Sequence, residues 1–394
     1  MLTHLFKLIW NKKKQNFLLM IEVLVSFMIL FAVLTAIVYY YQNYRRPMGL
    51  DYENVWMMDY ESPHGMKDGD SVAAFRASVR QLIGSMPQVA EVSFASRNVP
   101  FSFNTNGGGV NYGKKNEGTN KYTVDDNYGS LLHVGLKEGR WFSKEDDGAK
   151  EEHIVINATL KKNLFGDESA IGKMVGEGGD GPKSMKIIGV IGDLKDKGDF
   201  AGPSSGVYRR VDTSNLNWGG SILIRVRPSA DAAFESRLYK SLSHFMNNGD
   251  VNIQHLDGMR ARINNTRLMP VIIVLLVAGF LVINVALGLF GVLWYNISKR
   301  RSEIGLRRAV GASGNGISKQ FVGEAVVLST ISLIVGSFFA VQFPLLNVFD
   351  LPTGTYLIAL GLAVAFIYLL VVICAFYPGR QAAAIYPAVA LHED

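Results

Sequence analysis

The sequence predicts a membrane protein with four transmembrane α-helices and a large α+β extracytoplasmic domain between helices 1 and 2, itself a split α/β part plus an inserted β-rich lobe. Three observations carry this expectation. Four stretches, 17–41, 269–295, 319–346 and 356–377, approach or exceed the roughly 20 apolar residues that a helix needs to cross a hydrocarbon core. The intervening stretch 42–268 is polar and Gly-rich and switches between strand and helix periodicity. Only 19% of the 394 residues are charged while 48% are hydrophobic, too few charges for an ordinary soluble protein and too much apolar surface for a disordered one.

A segment at 1–16, read as amphipathic and cytoplasmic, precedes the first span. That span ends in Tyr39, Tyr40 and Tyr41, aromatic residues suited to a headgroup interface, and it is too long for a signal h-region, so it reads as a retained anchor. In 42–268, Val55 to Tyr60 reads as a strand, Val72, Phe75, Val79, Leu82 and Ile83 recur at helical spacing, and Val92 to Ala95 is extended again. The same order returns in Ser221 to Val226, a helix carrying Phe234, Leu238, Leu242 and Phe245, and Val251 to His255. Two such halves, 42–100 and 217–258, can close one α+β layer around an inserted lobe at 101–216. Strands are expected there at Ile154 to Ile156 and Lys186 to Ile191. Gly107, Gly108 and Gly109, and the loop Gly202 to Gly206 with Ser204, read as mobile tips for a periplasmic partner or substrate.

Orientation follows from the short loops, where Lys and Arg mark the cytoplasmic side. Lys7, Lys12, Lys13 and Lys14 precede the first span, and Lys299, Arg300, Arg301, Arg307, Arg308 and Lys319 lie between the second and third. The turn between the third and fourth spans has no basic residue and carries Asp350. Both termini are therefore expected inside, with a cytoplasmic coupling segment at 296–318 and a cytoplasmic tail at 378–394. The net charge of +6 (40 Lys+Arg against 34 Asp+Glu) thus maps onto membrane flanks, and no nucleic-acid partner is expected.

Searches for chemistry give plain structural readings. Gly202-Pro203-Ser204-Ser205-Gly206 matches a nucleophile elbow in letters, but the flanks read as loop. Gly176, Gly178 and Gly181 fit a dinucleotide pattern, yet strand-like Lys186 to Ile191 follows where a helix is needed, so they read as a hairpin turn. Gly166 to Lys173 has one residue too many for a phosphate loop and then Met174. The lone Cys374 excludes an intramolecular disulfide, and the seven histidines never fall at short metal-ligand spacing. No catalytic, cofactor or metal site is expected in this chain.

Polar residues within the spans are costly, roughly 2.5–3.5 kcal/mol for a charged group at a helix centre. Glu22 and Glu324 are expected near the interface or paired with Arg or Lys, with Arg301 or Arg308 a partner for Glu324. Asn284 could supply an interhelical hydrogen bond, and Gly288 and Gly291 permit close packing beside it. The strongest signal is Ser298 to Ala312, read as continuing helical from the second span to a Gly-rich break. Glu303, Arg307 and Arg308 share a helical surface to which Ile304 and Leu306 add exposed apolar area, suited to a groove on another protein.

The run Arg301-Ser302-Glu303-Ile304-Gly305-Leu306-Arg307-Arg308-Ala309-Val310-Gly311-Ala312, followed by Gln320-Phe321-Val322-Gly323-Glu324-Ala325, resembles the signature of the MacB/FtsX family of ABC transporter permeases. Leu136 to Phe142, Val155 to Lys173, Ile188 to Asp193 and Tyr377 to Leu391 are similar to further family elements, while Gly379 and Arg380 depart from the family's closing cadence. The resemblance implies an ATPase (nucleotide-binding) subunit on a separate chain, holding ATP and magnesium and docking on Arg301, Glu303, Ile304, Gly305, Leu306, Arg307, Arg308 and Gly311. It implies a dimer with a second copy or a related permease in the bacterial inner membrane, in contact with membrane lipid, and mechanotransmission to the periplasmic domain. Efflux of antibiotics, peptides or toxins with a periplasmic adaptor is the leading implication, and lipoprotein release or regulation of a sensor or cell-wall hydrolase are its alternatives.

Overall fold

A computed structural model describes residues 13–60, 69–177, 184–211, 220–246 and 251–383. Several sequence expectations lie outside them: segment 1–12 with His4, Lys7 and Lys12, then His64, Gly178, Gly181, the 216–217 boundary, and the closing run from Tyr386 to Leu391 with His392. The described residues divide into two compact units, 43–267 and, together, the chain before and after it.

The first unit holds an eleven-stranded sheet. Strand β1 (Val55–Tyr60), helix α2 (Gly69–Gly84) and strand β2 (Val89–Ala95) form one half, and β10 (Gly220–Val226), helix α5 (Ala232–Phe245) and β11 (Asn252–His255) the other. The two halves interleave in the order β11-β1-β10-β2, with β10 antiparallel to both β1 and β2 and β1 antiparallel to β11. This is the split βαβ arrangement, and it follows from the alternation along β1. Trp56, Met58 and Tyr60 face Phe75, Val79 and Ile83 of α2 and Phe234, Leu238 and Leu242 of α5. Val55 and Met57 face the opposite core, with Leu256, Met259 and Ile263. Each large apolar side chain so buried stabilises by roughly 1.5–3 kcal/mol. Helix α5 starts where the Asp231 carboxylate accepts from the Phe234 amide at 2.8 Å, an N-cap.

The insert between the halves closes into a barrel that the sequence reading did not anticipate. Strands β3 (Gly107–Tyr112), β4 (Lys115–Val124), β6 (Glu152–Asn157), β7 (Met174–Glu177), β8 (Ser184–Ile191) and β9 (Gly206–Arg210) pair in the ring β4-β3-β7-β8-β6-β9, which β4 and β9 close in parallel. Short strand β5 (Leu136–Gly139) pairs with β8 outside the ring. Helix α3 (Tyr128–Leu131) follows β4, and α4 (Ala158–Phe165) adds Leu160, Leu164 and Phe165 to an interior of Val110, Ile154, Ile156, Val175, Ile187 and Val207. On that same face, by register, Lys121 pairs with Glu177, and Arg209 with Glu177 and Glu152.

The second unit contains α1 (Lys13–Tyr44) as far as residue 42, the part of α6 (Leu256–Lys299) beyond residue 267, α7 (Arg301–Ala309), α8 (Gly314–Leu345) and α9 (Thr353–Ala383). Four of these helices, α1, α6, α8 and α9, are long and apolar enough to cross a membrane. Their shared core runs from Val23, Phe27 and Phe31 through Val285 and Leu289 to Ala325, Ala359 and Ala363. Gly336 has no side chain because Phe27 fills that space: a Cβ there would lie 2.5 Å from the ring. Buried Thr355 donates to the Gln42 side chain at 2.7 Å, and Ser332 to the Met20 carbonyl at 3.0 Å.

Candidate functional site

The segment after α6 is not one continuous helix. At Arg300 (φ −112°, ψ 20°) the chain leaves helical geometry and restarts as α7, which corrects the expectation of unbroken helix from the second span. The break lets the Arg300 guanidinium turn inward, at 11% side-chain exposure, and reach Glu303 and Glu324 at 3.0 Å each. Glu303 accepts from Arg307 at 2.6 Å, Arg307 donates to Gln320 at 2.9 Å, and Gln320 donates to Glu324 at 3.1 Å. A closed polar ring therefore ties the end of α6 to α7 and α8. Burial works against the Arg300 charge, but the two carboxylates more than offset it and raise its pKa. The guanidinium also lies 5.2 Å from the Phe321 ring centroid, a cation–π distance.

Two expectations change here. The partner of Glu324 is Arg300, not Arg301 or Arg308. Ile304 is not an exposed docking residue: it is buried with Ile297, Ile317, Phe321 and Ala382, and Gly305 is buried beside it. Seven residues separate Ile297 from Ile304, two turns, so the inward stripe persists across the break. The exposed apolar residues are Leu306, at 57% exposure, and Val310, at 83%. Gly311 (φ +101°) ends α7: the Ala312 amide reaches the Arg307 carbonyl and the Gly311 amide that of Arg308, a Schellman closure requiring the left-handed region. Ser313 then caps α8 by accepting from the Gly316 amide at 3.2 Å.

Within the spans, the Glu22 carboxyl group makes no hydrogen bond or ion pair to the described residues and lies against the bare backbone of Gly288, where a Cβ would be 2.0 Å from its oxygen. Of the two expectations for Glu22, an interfacial position or a basic partner, the described residues supply no basic partner. Asn284 does not bridge helices: its amide donates at 2.8 Å to the Phe280 carbonyl one turn back, and the residue is exposed. Gly291 faces open space rather than a neighbouring helix.

The expected Gly107 to Gly109 tip is a strand instead. These residues pair with Asn120, Thr119 and Gly118 in β4. Gly108 is bare because the Lys121 side chain crosses it to reach Glu177 on β7, and a Cβ would sit 2.0 Å from the Lys121 stem. Ser204 lies in a loop running into β9, with its hydroxyl accepting from Asn120 at 3.1 Å and its carbonyl from Asn157 at 2.7 Å. No helix follows it, so the nucleophile-elbow letters carry no such geometry. Lys173, the would-be phosphate-loop lysine, pairs with Glu168 at 2.6 Å and covers the Phe165 ring at 4.8 Å. Among the described residues no group of three or more His, Cys, Asp or Glu could hold a metal ion.

The sequence reading missed the loop from Gly192 to Phe200, which follows β8. The Asp193 carboxylate accepts from the Asn157 side chain and from the amide and hydroxyl of Thr159, at 2.8–2.9 Å. Lys195 donates to the Tyr44 carbonyl at 3.0 Å. Asp196 accepts from the Tyr122 hydroxyl at 2.5 Å, and burial pushes its carboxyl above the usual carboxylate range, partly countered by that hydrogen bond and by Lys197. Asp199 takes a two-pronged contact from Arg260, at 2.9 and 2.7 Å, and a third bond from Asn264. Alternating charges in a Gly-bounded loop look like a solvated turn, and only the long-range partners reveal otherwise.

A four-span membrane protein with an α+β domain after the first span, and a short charged helix held between the second and third, is of the permease class. The family model for the MacB-like periplasmic core domain matches residues 17–239, and that for the FtsX-like permease C-terminal matches 272–387. The chain belongs to this MacB/FtsX family of ABC transporter permeases. It is 27% identical over 311 residues to the macrolide export ATP-binding/permease protein MacB of Bdellovibrio bacteriovorus, covering 73% of this chain and 46% of that one. The Chlorobium phaeobacteroides MacB is 28% identical over 304 residues, covering 72% and 44%. The chain thus spans about half the length of the curated relatives it matches. Among solved structures, the periplasmic region of MacB from Actinobacillus actinomycetemcomitans aligns at 18% identity over 57% of this chain and 98% of that one, with a TM-score of 0.39. The extracellular domain of the noncanonic ABC-type transporter YknZ from Gram-positive bacteria aligns at 16% over 50% and 94%, with a TM-score of 0.35.

Proposed function

We propose that this chain is the permease subunit of a MacB-type ABC transporter of the bacterial inner membrane, with both termini and α7 in the cytoplasm. A separate ATPase subunit, carrying ATP and magnesium, docks on 296–318, and its motion passes along α6 to the periplasmic domain for efflux of antibiotics, peptides or toxins. The observation that carries this reading is the ring Arg300–Glu303–Arg307–Gln320–Glu324. It fixes α7 against the ends of α6 and α8 while leaving Leu306 and Val310 outward, apolar side chains that a purely topological loop has no use for. A helix held rigidly at both ends passes on a push, whereas a free loop absorbs it. The macrolide export relatives support efflux as the output, and on this reading a second copy or a related permease completes the working unit.

The test is association. Leu306→Asp and Val310→Asp should lose co-purification of the ATPase from native membranes and permease-stimulated ATP hydrolysis, with insertion unchanged. Wild-type association in the double variant would sink the docking role. For orientation, with Cys374 replaced by Ala, an impermeant thiol reagent on spheroplasts should label Ala149→Cys and spare Ala309→Cys. The reverse pattern would invert the topology.

A further inference from the structure

We infer that residues 192–200 are the coupling node of the 43–267 domain: this one loop fastens the end of the first span's helix and the first turns of α6 to the inserted barrel, so that helix movement reaches the barrel through it. The inference rests on the transmission reading above and names where, within the domain, transmission occurs.

The division of labour along the loop carries the argument. Asp193 and Asp196 hold the barrel, through α4 and through Tyr122 of β4. Lys195 and Phe200 hold the end of α1: Lys195 binds the Tyr44 carbonyl, the Phe200 carbonyl accepts from Asn43 at 3.2 Å, and the Phe200 ring stacks on Tyr44 at 5.8 Å. Asp199 holds α6 by its bonds to Arg260 and Asn264, and its own amide donates to the Asn264 side chain at 2.9 Å. Arg260 also lies over the Tyr52 ring at 4.6 Å, which keeps the guanidinium aimed at the loop.

Two glycines make these approaches possible, one on each side. Gly198 (φ +94°) lies so close to α6 that a Cβ would meet the Asn264 oxygen at 2.7 Å. Gly49 (φ +77°), just past α1, would place a Cβ 2.3 Å from the Asp193 carbonyl. Both hold a backbone conformation that disfavours side chains, Gly49 against the Asp193 backbone and Gly198 against the Asn264 and Ile263 side chains, so a side chain at either would push the loop away. Asp199 is almost wholly covered, at 7% side-chain exposure, so the charge pair is not a surface ornament that water would screen away. A loop that served only to join β8 to β9 has no need to bind both helices with different residues.

The experiment uses the full-length chain with its co-purified ATPase in nanodiscs, carrying Cys374→Ser and spin labels at Ala149→Cys on the inserted lobe and Asn265→Cys on α6. Distances are compared without nucleotide and after trapping with ATP and vanadate. The wild type should shift between the two states. Asp199→Ala should keep the nucleotide-free distance and the stimulated ATPase rate but lose at least half of the shift, Arg260→Lys, which keeps the charge and gives up the two-pronged contact, should lose less than Asp199→Ala, and Asn43→Ala, which spares the ion pair, should reduce it more weakly. A full shift in both Asp199→Ala and Asn43→Ala overturns the node while leaving transmission standing. So does a nucleotide-free distance altered in Asp199→Ala with the shift unchanged in Asn43→Ala, because the pair is then merely structural. No shift in the wild type removes the transmission reading and the node with it.

Discussion

The ring around Arg300 and the loop 192–200 are built from the same materials, alternating acids and bases beside glycine, and they differ in the sequence distance that each closes. Glu303 and Arg307 pair across one helical turn, and the whole ring spans 25 residues. Asp199 and Arg260 are 61 residues apart, and Lys195 and the Tyr44 carbonyl 151. A local ring can be read from helical spacing, while a long-range node has no spacing to read. The difference also sorts exposure: α7 keeps an apolar edge outward, whereas the loop turns nearly every charge onto its own chain.

The largest effect is expected where the ring is broken. Removing Arg300 takes the cation from Glu324, at 18% side-chain exposure, and leaves it the neutral Gln320 amide, while Glu303 keeps Arg307. Arg300→Ala should cost about 3 kcal/mol, the lower part of the range for breaking a buried pair because water still reaches the site. Thermal or SDS-induced unfolding of the full chain in detergent measures it. A loss below about 0.5 kcal/mol would place the ring with ordinary surface pairs and end the comparison with the loop.

The next effect belongs to the loop. Gly198→Ala must both adopt φ +94° and push against Asn264, so a loss of about 2 kcal/mol is expected. Gly84→Ala, a helical position with nothing within 4 Å, should instead be neutral or slightly stabilising. Equal effects at the two glycines would show that the loop's approach to α6 is slack.

Much of this architecture was legible. The four apolar stretches are helices, and the two halves of the α+β layer appeared as matched strand-helix-strand runs because each buries one face with a regular period. The barrel was not legible, for a physical reason: β4 reads Lys-Asn-Glu-Gly-Thr-Asn-Lys before its first aromatic residue, and its half-buried Lys121 and Glu117 are held by Glu177 and Ser205 rather than by apolar contact. An alternation rule expects apolar residues inward, so a strand that places Glu117 and Lys121 opposite buried Val110 and Val207 looks like a loop. Gly107 to Gly109 misled in the same way, since Gly108 is small to let Lys121 across and not to let the backbone move. In the coupling segment the motif is legible but its faces are not: Ile304 falls two turns after buried Ile297 and continues its inward stripe, while Leu306 and Val310 stay outside.

A smaller effect separates the buried acids of the loop from those of the ring. The folded state raises the Asp196 pKa above its ordinary value through burial. An acid shifted up favours folding most below its ordinary pKa of about 3.9, and that contribution fades as pH rises through the raised value. Wild-type stability should therefore decline, relative to that of Asp196→Asn, as pH rises above the ordinary carboxylate range, because the Asn side chain still accepts from Tyr122 and carries no charge to bury. Parallel pH profiles for the two proteins would mean that Lys197, 3.9 Å away, already compensates the charge.

The smallest effect on stability is expected at the outward edge of α7, and there the smallness is itself the evidence. Leu306 and Val310 bury little and belong to no hydrophobic cluster among the described residues, so Leu306→Ser and Val310→Ser should each leave unfolding within about 0.5 kcal/mol of wild type. Arg300→Ala perturbs α7 by loosening its seat, and any loss of ATPase association in that variant mixes docking with damage. The serine variants separate the two: with the ring intact, a fall in ATPase co-purification reports the contact surface alone. If association instead survives both serine changes and falls only with Arg300→Ala, then the partner reads the orientation of α7 rather than its apolar edge, and the ring and the loop would perform the same task at opposite ends of α6.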